Sequence, residues 1–183
     1  IILGEMRKQQ EAMVLFEAMH TGHSVYATVH ADTAQETISR LINPPLNVPP
    51  NLLKAVNLNV VMFRDRKKGV RRVYQLAEFV PGKEIVTANI LYRWIPEKDE
   101  IVAHNNSMTF FEELNRHKGM SQLDIDKDLA KKKEILNWMI KNNIHDLTSI
   151  GKVFNMYYTD PKLLDEIIRK NDVKRILNIS IEN

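Results

Sequence analysis

The fold is decided by the stretch IILGEMRKQQEAMVLFEAMHTGHSVYATVHADTAQETISRLI, residues 1–42. Ile1 to Leu3 form an apolar run that predicts the end of a buried strand. Residues 8–19 place apolar side chains at helical spacing and predict a helix, which Gly22 is suited to end as the residue after its C-cap. Residues 24–30 alternate between apolar and polar, and this alternation predicts a second strand.

A second helix is predicted to begin at residues 33–36, Thr-Ala-Gln-Glu, because a threonine three positions before a glutamate is the pattern of a capping box. Asp32 is an alternative cap. The apolar stripe of this helix consists of Ile38, Leu41 and Ile42, and residues 43–45, Asn-Pro-Pro, end it. The order strand, helix, strand, helix predicts an α/β fold with a parallel sheet and crossover helices.

The remaining chain separates into a strand-rich zone and a helical zone. After a short helix near residues 52–56, period-2 alternation predicts antiparallel hairpins with strands at 58–63, 70–79, 84–94 and 101–104. From Asn105 onward we expect helices. Capping boxes are predicted at residues 109–112 and 121–124, and helix starts at Asp146 and at Asp160-Pro161. The helix after Ser121 is predicted to reach Lys141 and to bury Leu129, Leu136, Met139 and Ile140.

Composition limits the classes of protein that the chain can represent. Its 183 residues are 44% hydrophobic and 27% charged, with 6 Gly, 7 Pro and no Cys. These values are typical of a globular protein and exclude a disulfide framework, a cysteine zinc site and a cysteine nucleophile. The net charge of +3 is too small to indicate nucleic-acid binding by itself. The chain does not open on Met, and we interpret it as a fragment that starts inside a strand.

A carboxylate follows the first predicted strand directly, in the segment Gly4-Glu5-Met6-Arg7. The C-terminal edge of a parallel sheet is where ligands bind in open α/β folds. In a phosphate site, such a carboxylate can bind Mg²⁺ through water or polarise an attacking water. The alternative, which these four residues alone favour, is an ion pair with Arg7 or Lys8.

Thr28 and His30 share one face at the end of the second predicted strand, just before a capped helix. A strand end with polar side chains beside a helix N-terminus is typical of an anion contact, and a hydrogen-bonded structural histidine is the alternative. His20 and His23 flank Gly22 with no carboxylate at metalloprotease spacing, so no metal site is predicted there.

Basic residues surround a predicted hairpin turn in which Asp65 is the only acid: Arg64, Arg66, Lys67, Lys68, Arg71 and Arg72. A solvated turn, an acidic partner, an anionic membrane face and a neighbouring subunit all fit this charge. Aromatic residues are too sparse here for a platform that stacks nucleic-acid bases.

Taken in order, the motifs of the first 41 residues resemble those of the type II/type IV secretion ATPases, the hexameric motors of type II secretion, type IV pili and the archaeal flagellum. IILGEMR at 1–7 resembles the family's Walker B segment. LFEAMHTGH at 15–23 and ATVHAD at 27–32 resemble its His box, and Ser39-Arg40-Leu41 resembles the helix that follows. LNWMI at 136–140 and YYTDP at 157–161 resemble the archaeal branch of the family.

This resemblance implies a fold, roles for individual residues and partners. Residues 1–104 would be the C-terminal part of a RecA-like P-loop ATPase core, and residues 105–183 a small helical region. Glu5 would be the Walker B carboxylate, which organises Mg²⁺ and water, and His30 would contact the γ-phosphate region of ATP. The implied nucleotide-binding or supporting residues are Arg7, His23, Thr28 and Arg40. The parent would be a cytoplasmic homo-hexamer, peripheral at the inner face of the membrane. There it would act with a polytopic platform protein and indirectly with pilin-like subunits, without nucleic acid.

One motif of the family does not occur in the sequence. No Gly-x-x-x-x-Gly-Lys-Ser/Thr loop, the Walker A element that cradles phosphates, is present among the 183 residues. We therefore expect the chain by itself to bind MgATP poorly and to be inactive. Two alternatives stay open: a stand-alone interaction module with a helical docking domain, and a relative of the conjugation ATPases that handle DNA.

Overall fold

The computed structural model describes residues 1–82 and 85–178 and divides into two compact units, Ile1–Gly119 and Met120–Asn183. The first unit is mixed α/β, with a two-stranded parallel sheet and a four-stranded antiparallel sheet. The second unit is helical. None of the described helices is long and apolar enough to cross a bilayer.

The parallel sheet consists of β1 (Ile2–Leu3) and β2 (Tyr26–Ala27), and α1 (Gln9–His20) joins the two strands. As predicted, Gly22 follows the C-cap of α1. It has a φ of +87°, and its N–H donates to Met19 O while the N–H of His23 donates to Ala18 O. This pair of bonds is a Schellman motif, which satisfies the last carbonyls of the helix.

Strand β2 is shorter than the predicted 24–30, because β1, with which it pairs among the described residues, offers two paired residues, Ile2 opposite Tyr26 and Leu3 opposite Ala27. One further bond, from Met6 N to Thr28 O at 3.0 Å, continues the contact beyond the regular strands. The two chain segments therefore stay side by side up to residue 28.

Helix α2 (Ala34–Ile42) begins at the predicted N-cap, Thr33, whose hydroxyl accepts the N–H of Glu36 at 3.0 Å. The carboxylate of Glu36 accepts the N–H of Asp32 at 2.8 Å, one residue earlier than a standard capping box would place it. The apolar stripe of α2 packs with α1, the loop after α2 and the antiparallel sheet into the core of the first unit, which consists of Ala12, Phe16, Ile38, Leu41, Leu46, Val48, Leu53, Phe79 and Val86.

The antiparallel sheet follows a short 3₁₀ helix (Pro50–Ala55) and has the order β3 (Asn59–Asp65), β4 (Val70–Pro81), β5 (Val86–Ile95) and β6 (Glu100–Ala103). The predicted hairpins are thus confirmed, and the predicted start of the third strand at Glu84 lies outside the described residues. Two glutamine side chains join this sheet to α2. Gln75 Oε1 accepts the N–H of Ala34 at 2.9 Å, and Gln35 Oε1 accepts the N–H of Ala88 at 3.3 Å.

Helix α3 (Phe110–Lys118) belongs to the first unit and does not begin with the predicted capping box. The hydroxyl of Thr109 donates to the carboxylate of Glu78 at 3.0 Å instead of accepting a helical N–H. Glu78, from strand β4, takes over the capping role, since its carboxylate also accepts the N–H groups of Thr109 and Phe110.

The second unit contains α4 (Gln122–Lys141), α5 (Leu147–Thr159), α6 (Pro161–Lys170) and α7 (Val173–Asn178). The predicted caps Ser121, Asp146 and Asp160 are confirmed. The prediction of the buried face of α4 was wrong for Leu129, Leu136 and Ile140, which are exposed. The helix packs through Ile135, Trp138 and Met139.

Candidate functional site

The ends of β1 and β2 place the candidate site at one edge of the parallel sheet. Glu5 lies two residues beyond the end of β1, and His30 three residues beyond the end of β2. The hydroxyl of Thr28 donates to the carbonyl of Gly4, next to the backbone bond between Met6 and Thr28. These contacts fasten the two loops to each other, so Thr28 positions the residues around it.

Glu5 lies between two basic side chains. Its Oε2 accepts hydrogen bonds from Arg7 Nε at 2.8 Å and from Arg7 Nη2 at 2.5 Å. Its Oε1 is 3.2 Å from His30 Nε2. The side chain of Glu5 is 23% exposed, whereas that of His30 is 80% exposed, so one carboxylate links two residues that face solvent.

The electrostatics of this cluster keep Glu5 ionised. The hydrogen bond from Arg7 is the largest influence and lowers the pKa of the Glu5 carboxyl below its ordinary value. Partial burial opposes this effect, and the positive charges of Arg7, His30 and Arg40 add to it. At neutral pH the centre of the cluster is therefore a carboxylate.

An open pocket of about 430 Å³ adjoins the cluster and is lined by Glu5, Met6, Arg7, Val29, His30, Ser39, Arg40 and residues 43–46. Arg40 lies in the last turn of α2, and no salt bridge of Arg40 is formed among the described residues. A carboxylate, two guanidinium groups and an imidazole thus face one cavity. Such a set can bind a phosphate group and hold a water or cation beside it.

The structure does not bring every predicted site residue to this pocket. His23 lies at the far end of α1, where its Nδ1 is 3.1 Å from the hydroxyl of Thr21. It is absent from the lining of the pocket. Conversely, the sequence interpretation treated residues 43–45 only as a helix stop and gave Leu46 no role, although residues 43–46 form one wall of the pocket. Their position three to six residues after Arg40 is the signal that could have placed them there.

The basic hairpin has the predicted turn between β3 and β4. Arg72 is held by Asp99, with Nε–Oδ1 at 2.7 Å and Nη2–Oδ2 at 2.6 Å. Asp65 Oδ1 accepts the N–H groups of Lys67 and Lys68 and so shapes the turn. The other five cations are exposed and, among the described residues, form no salt bridge.

A buried carboxylate, Glu78, was missed by the sequence interpretation. It is fully buried and accepts six hydrogen bonds, from Asn89, Ser107, Met108 N, Thr109 N, Thr109 Oγ1 and Phe110 N. Burial alone would raise its pKa, but the hydrogen bonds from the backbone and from Asn89 outweigh this and lower the pKa to about 2. This group holds the start of α3 on the sheet and does not face the pocket.

Comparison with known proteins identifies the region that carries the site. Residues 1–72 match the model of the family described as type II/IV secretion system protein. This match covers every residue that lines the pocket, the two parallel strands and the six cations of the basic hairpin.

Curated relatives extend the similarity along the chain. An uncharacterized protein of Methanocaldococcus jannaschii is 36% identical over 169 residues, which are 86% of this chain and 30% of that protein. A second uncharacterized protein of the same archaeon is 30% identical over 146 residues, 77% of this chain and 53% of that protein. The type IV pilus assembly ATPase PilB of Pseudomonas aeruginosa is 40% identical over 68 residues, 37% of this chain and 12% of PilB.

The chain spans about a third of the length of the first of these relatives and about half of the second. The PilB match joins the family match in pointing to the secretion and pilus ATPases, and two of these relatives are archaeal. Residues 1–72 therefore match the type II/IV secretion system protein family, and the similarity to PilB supports a family of secretion-system ATPases.

Proposed function

We propose that this chain is the C-terminal portion of a hexameric motor ATPase that couples ATP hydrolysis to the assembly or export of pilin-like subunits. The observation that carries the proposal is the approach of Glu5 Oε1 to His30 Nε2 at 3.2 Å, across the ends of two parallel strands. The family match covers both residues. In this proposal residues 1–104 are part of a RecA-like core, and residues 105–183 are a helical extension.

Glu5 and its neighbours fit the charge requirements of MgATP. Mg²⁺ usually keeps several waters and takes one or two carboxylates together with phosphate oxygens. Within residues 1–82 and 85–178 no group of three or more His, Asp or Glu is arranged to hold a metal by itself. The single carboxylate of Glu5 is compatible with a water-mediated contact. Bound Mg²⁺ would neutralise phosphate charge in such a site.

The residues of the chain have distinct tasks in this proposal. Arg7 fixes the orientation of the Glu5 carboxylate through two N–H donors, Nε and Nη2, that both bond to Oε2. His30 and Arg40 offer positive charge or N–H donors to a γ-phosphate. The ring of His23 hydrogen-bonds with the hydroxyl of Thr21, away from the pocket. In this proposal His23 contacts a nucleotide only where the end of α1 lies beside the bound base or beside the site of a neighbouring subunit.

The site lacks the loop that supplies most phosphate contacts, since the 183 residues contain no Walker A sequence. We therefore expect weak binding of a fluorescent ATP analogue by this chain and full binding by a form extended upstream through such a loop. In the extended form, Glu5→Gln should stop hydrolysis while Glu17→Gln, an exposed glutamate on α1, should not. Equal hydrolysis by both variants would refute the role of Glu5. Tight binding by the chain alone would show that the phosphate site lies elsewhere.

The proposal also includes partners and a location. The parent would form a homo-hexamer in the cytoplasm, at the inner face of the membrane, on a polytopic platform protein. No nucleic acid takes part. A DNA-handling motor remains the alternative, and a steep loss of duplex DNA binding with rising salt would favour it.

A second candidate function is an interaction module. The helical unit has its own core, built from Ile135, Trp138, Met139, Ile144, Val153, Met156, Leu164, Ile167 and Ile176. If isolated residues 120–183, the helical unit by itself, unfold cooperatively and capture a defined partner, this unit acts as a docking domain. A non-cooperative transition without partner binding would contradict this candidate.

A further inference from the structure

The exposed tip of the β3–β4 hairpin carries charge that the nucleotide site does not use. Five cations there face solvent: Arg64, Arg66, Lys67, Lys68 and Arg71. Asp65, the acid within the turn, is hydrogen-bonded to the turn backbone, and Asp99 from the neighbouring hairpin pairs with Arg72. The whole chain has a net charge of only +3, so positive charge is concentrated at this tip.

Apolar side chains continue from the cations along strand β3. Val60 is 50% exposed and Met62 is 65% exposed, whereas Val61 between them is buried against Ala34 and Ala77. Because successive side chains of a strand point to opposite faces, Val60, Met62 and Arg64 lie on the same face. Arg64 pairs with Arg71 across the hairpin, which adds a second cation on that face.

The solvent-facing side of the sheet extends this apolar surface. Val60 lies opposite Leu76, and Leu76 lies opposite Tyr92, which is 45% exposed. The hairpin therefore has cations at its tip and apolar residues beginning about 7 Å along the strand. Cations beside exposed apolar side chains are the composition of interfacial membrane-binding elements.

We propose that the face of the β3–β4 hairpin that carries Met62, Arg64 and Arg71 lies against an anionic lipid surface, with the exposed cations at the headgroups and Met62 inserted among them. A membrane is favoured over an acidic peptide because all five cations are exposed around a turn. The two described pockets are lined by none of them. A bilayer offers a plane of negative charge, which cations exposed along one face of a hairpin can meet without a groove.

The proposal predicts a measurable loss of vesicle binding for each cation removed. A Lys or Arg near an anionic surface contributes about 1 kcal/mol, which corresponds to about fivefold in the partition coefficient. The double variant Lys67→Gln/Lys68→Gln should therefore bind vesicles of phosphatidylglycerol and phosphatidylcholine about 25-fold more weakly. Met62→Ser should weaken binding further without changing its salt dependence.

Flotation of the full chain with such vesicles at low and high salt tests the proposal. The matched control is Lys162→Gln/Lys174→Gln, two exposed lysines of the helical unit. We expect the chain to bind the anionic vesicles and not to bind vesicles of pure phosphatidylcholine. We expect only the hairpin variant to lose this binding. Equal loss in the control, no binding to anionic vesicles, or tighter binding to poly-glutamate or duplex DNA would overturn the proposal.

The nucleotide proposal can fail independently of this one. Glu5→Gln leaves the hairpin intact and should bind anionic vesicles as the unchanged chain does. If the chain binds anionic vesicles while the extended form shows no ATPase activity, the lipid-binding proposal is supported and the motor proposal is refuted.

Discussion

The buried carboxylate of Glu78 should make an unusually large contribution to the stability of the first unit. Its pKa is about 2 in the folded chain, against an ordinary 4.5. A shift of one pKa unit corresponds to about 1.4 kcal/mol, so the ionised group stabilises the fold by about 3 kcal/mol at pH 7 relative to its protonated form. Glutamine resembles the protonated form, and Glu78→Gln should therefore be about 3 kcal/mol less stable at pH 7.

The sign of the pH dependence follows from the lowered pKa. A group whose pKa is lowered by folding stabilises the fold above its unfolded pKa, and this contribution is lost as the pH falls toward its folded pKa. The stability difference between the original chain and Glu78→Gln should fall to about 1.5 kcal/mol at pH 3 and vanish near pH 1. The physical reason is that protonation removes the charge that Met108, Thr109 and Phe110 N–H groups solvate.

Urea unfolding can measure this contribution if one unit is observed at a time. Trp94 lies in the first unit and Trp138 in the second, and the chain has 2 Trp. In a Trp138→Phe background, fluorescence reports the first unit alone. Glu17→Gln, at an exposed position, is the control and should change stability little at any pH. A stability difference for Glu78→Gln that stays constant from pH 7 to pH 3 would refute the reasoning.

Three further predictions rest on local geometry. Gly22→Ala should destabilise the first unit by about 1 kcal/mol in urea unfolding, because a φ of +87° strains any side-chain-bearing residue although open space surrounds the position. Arg7→Gln should raise the pKa of Glu5 toward its ordinary value, which carboxyl ¹³C NMR can follow, and an unchanged pKa would show that Arg7 does not hold the carboxylate. Burial, and secondarily the bond to Asp128, raises the pKa of Tyr157 to about 12, so ultraviolet titration of Asp128→Asn should show one tyrosine ionising at lower pH. Identical tyrosine titration curves for the original chain and Asp128→Asn would contradict this prediction.

Much of the fold was predictable because its signals act within a few residues. Gly22 ends α1, Ser121 caps α4 with Asp124, and Asp160 caps α6 just before Pro161, each through bonds that span at most five positions. Period-2 alternation likewise predicted the four antiparallel strands. These features depend on local backbone geometry, which the sequence specifies directly.

Features that depend on distant partners were not predictable. The cap of α3 comes from Glu78, about 30 positions earlier in the chain, so the local pattern at Thr109 was misleading. Helix α4 has apolar side chains on two faces. Packing against the other helices of the unit determines that the face with Ile135 and Met139 is the buried one.

The candidate site was predicted from motif order, and its geometry was not. The order of strands and helices placed Glu5 and His30 at strand ends, and the resemblance to the ATPase family added Arg7 and Arg40. It could not show that a single carboxylate contacts both Arg7 and His30, since that depends on how the loops after β1 and β2 lie together.

The two hydrogen bonds that glutamine side chains form between α2 and the antiparallel sheet have a mechanical consequence. Gln75 holds the first N–H of α2, while Gln35 holds a strand N–H in return, so helix and sheet are braced at two points. Arg40 extends from the opposite end of the same helix into the pocket. A load pressing on the hairpin sheet would then tilt α2 as a stiff rod, and the guanidinium of Arg40 would move with it. We therefore expect a contact on the antiparallel sheet to change how a ligand binds in the pocket that Arg40 lines.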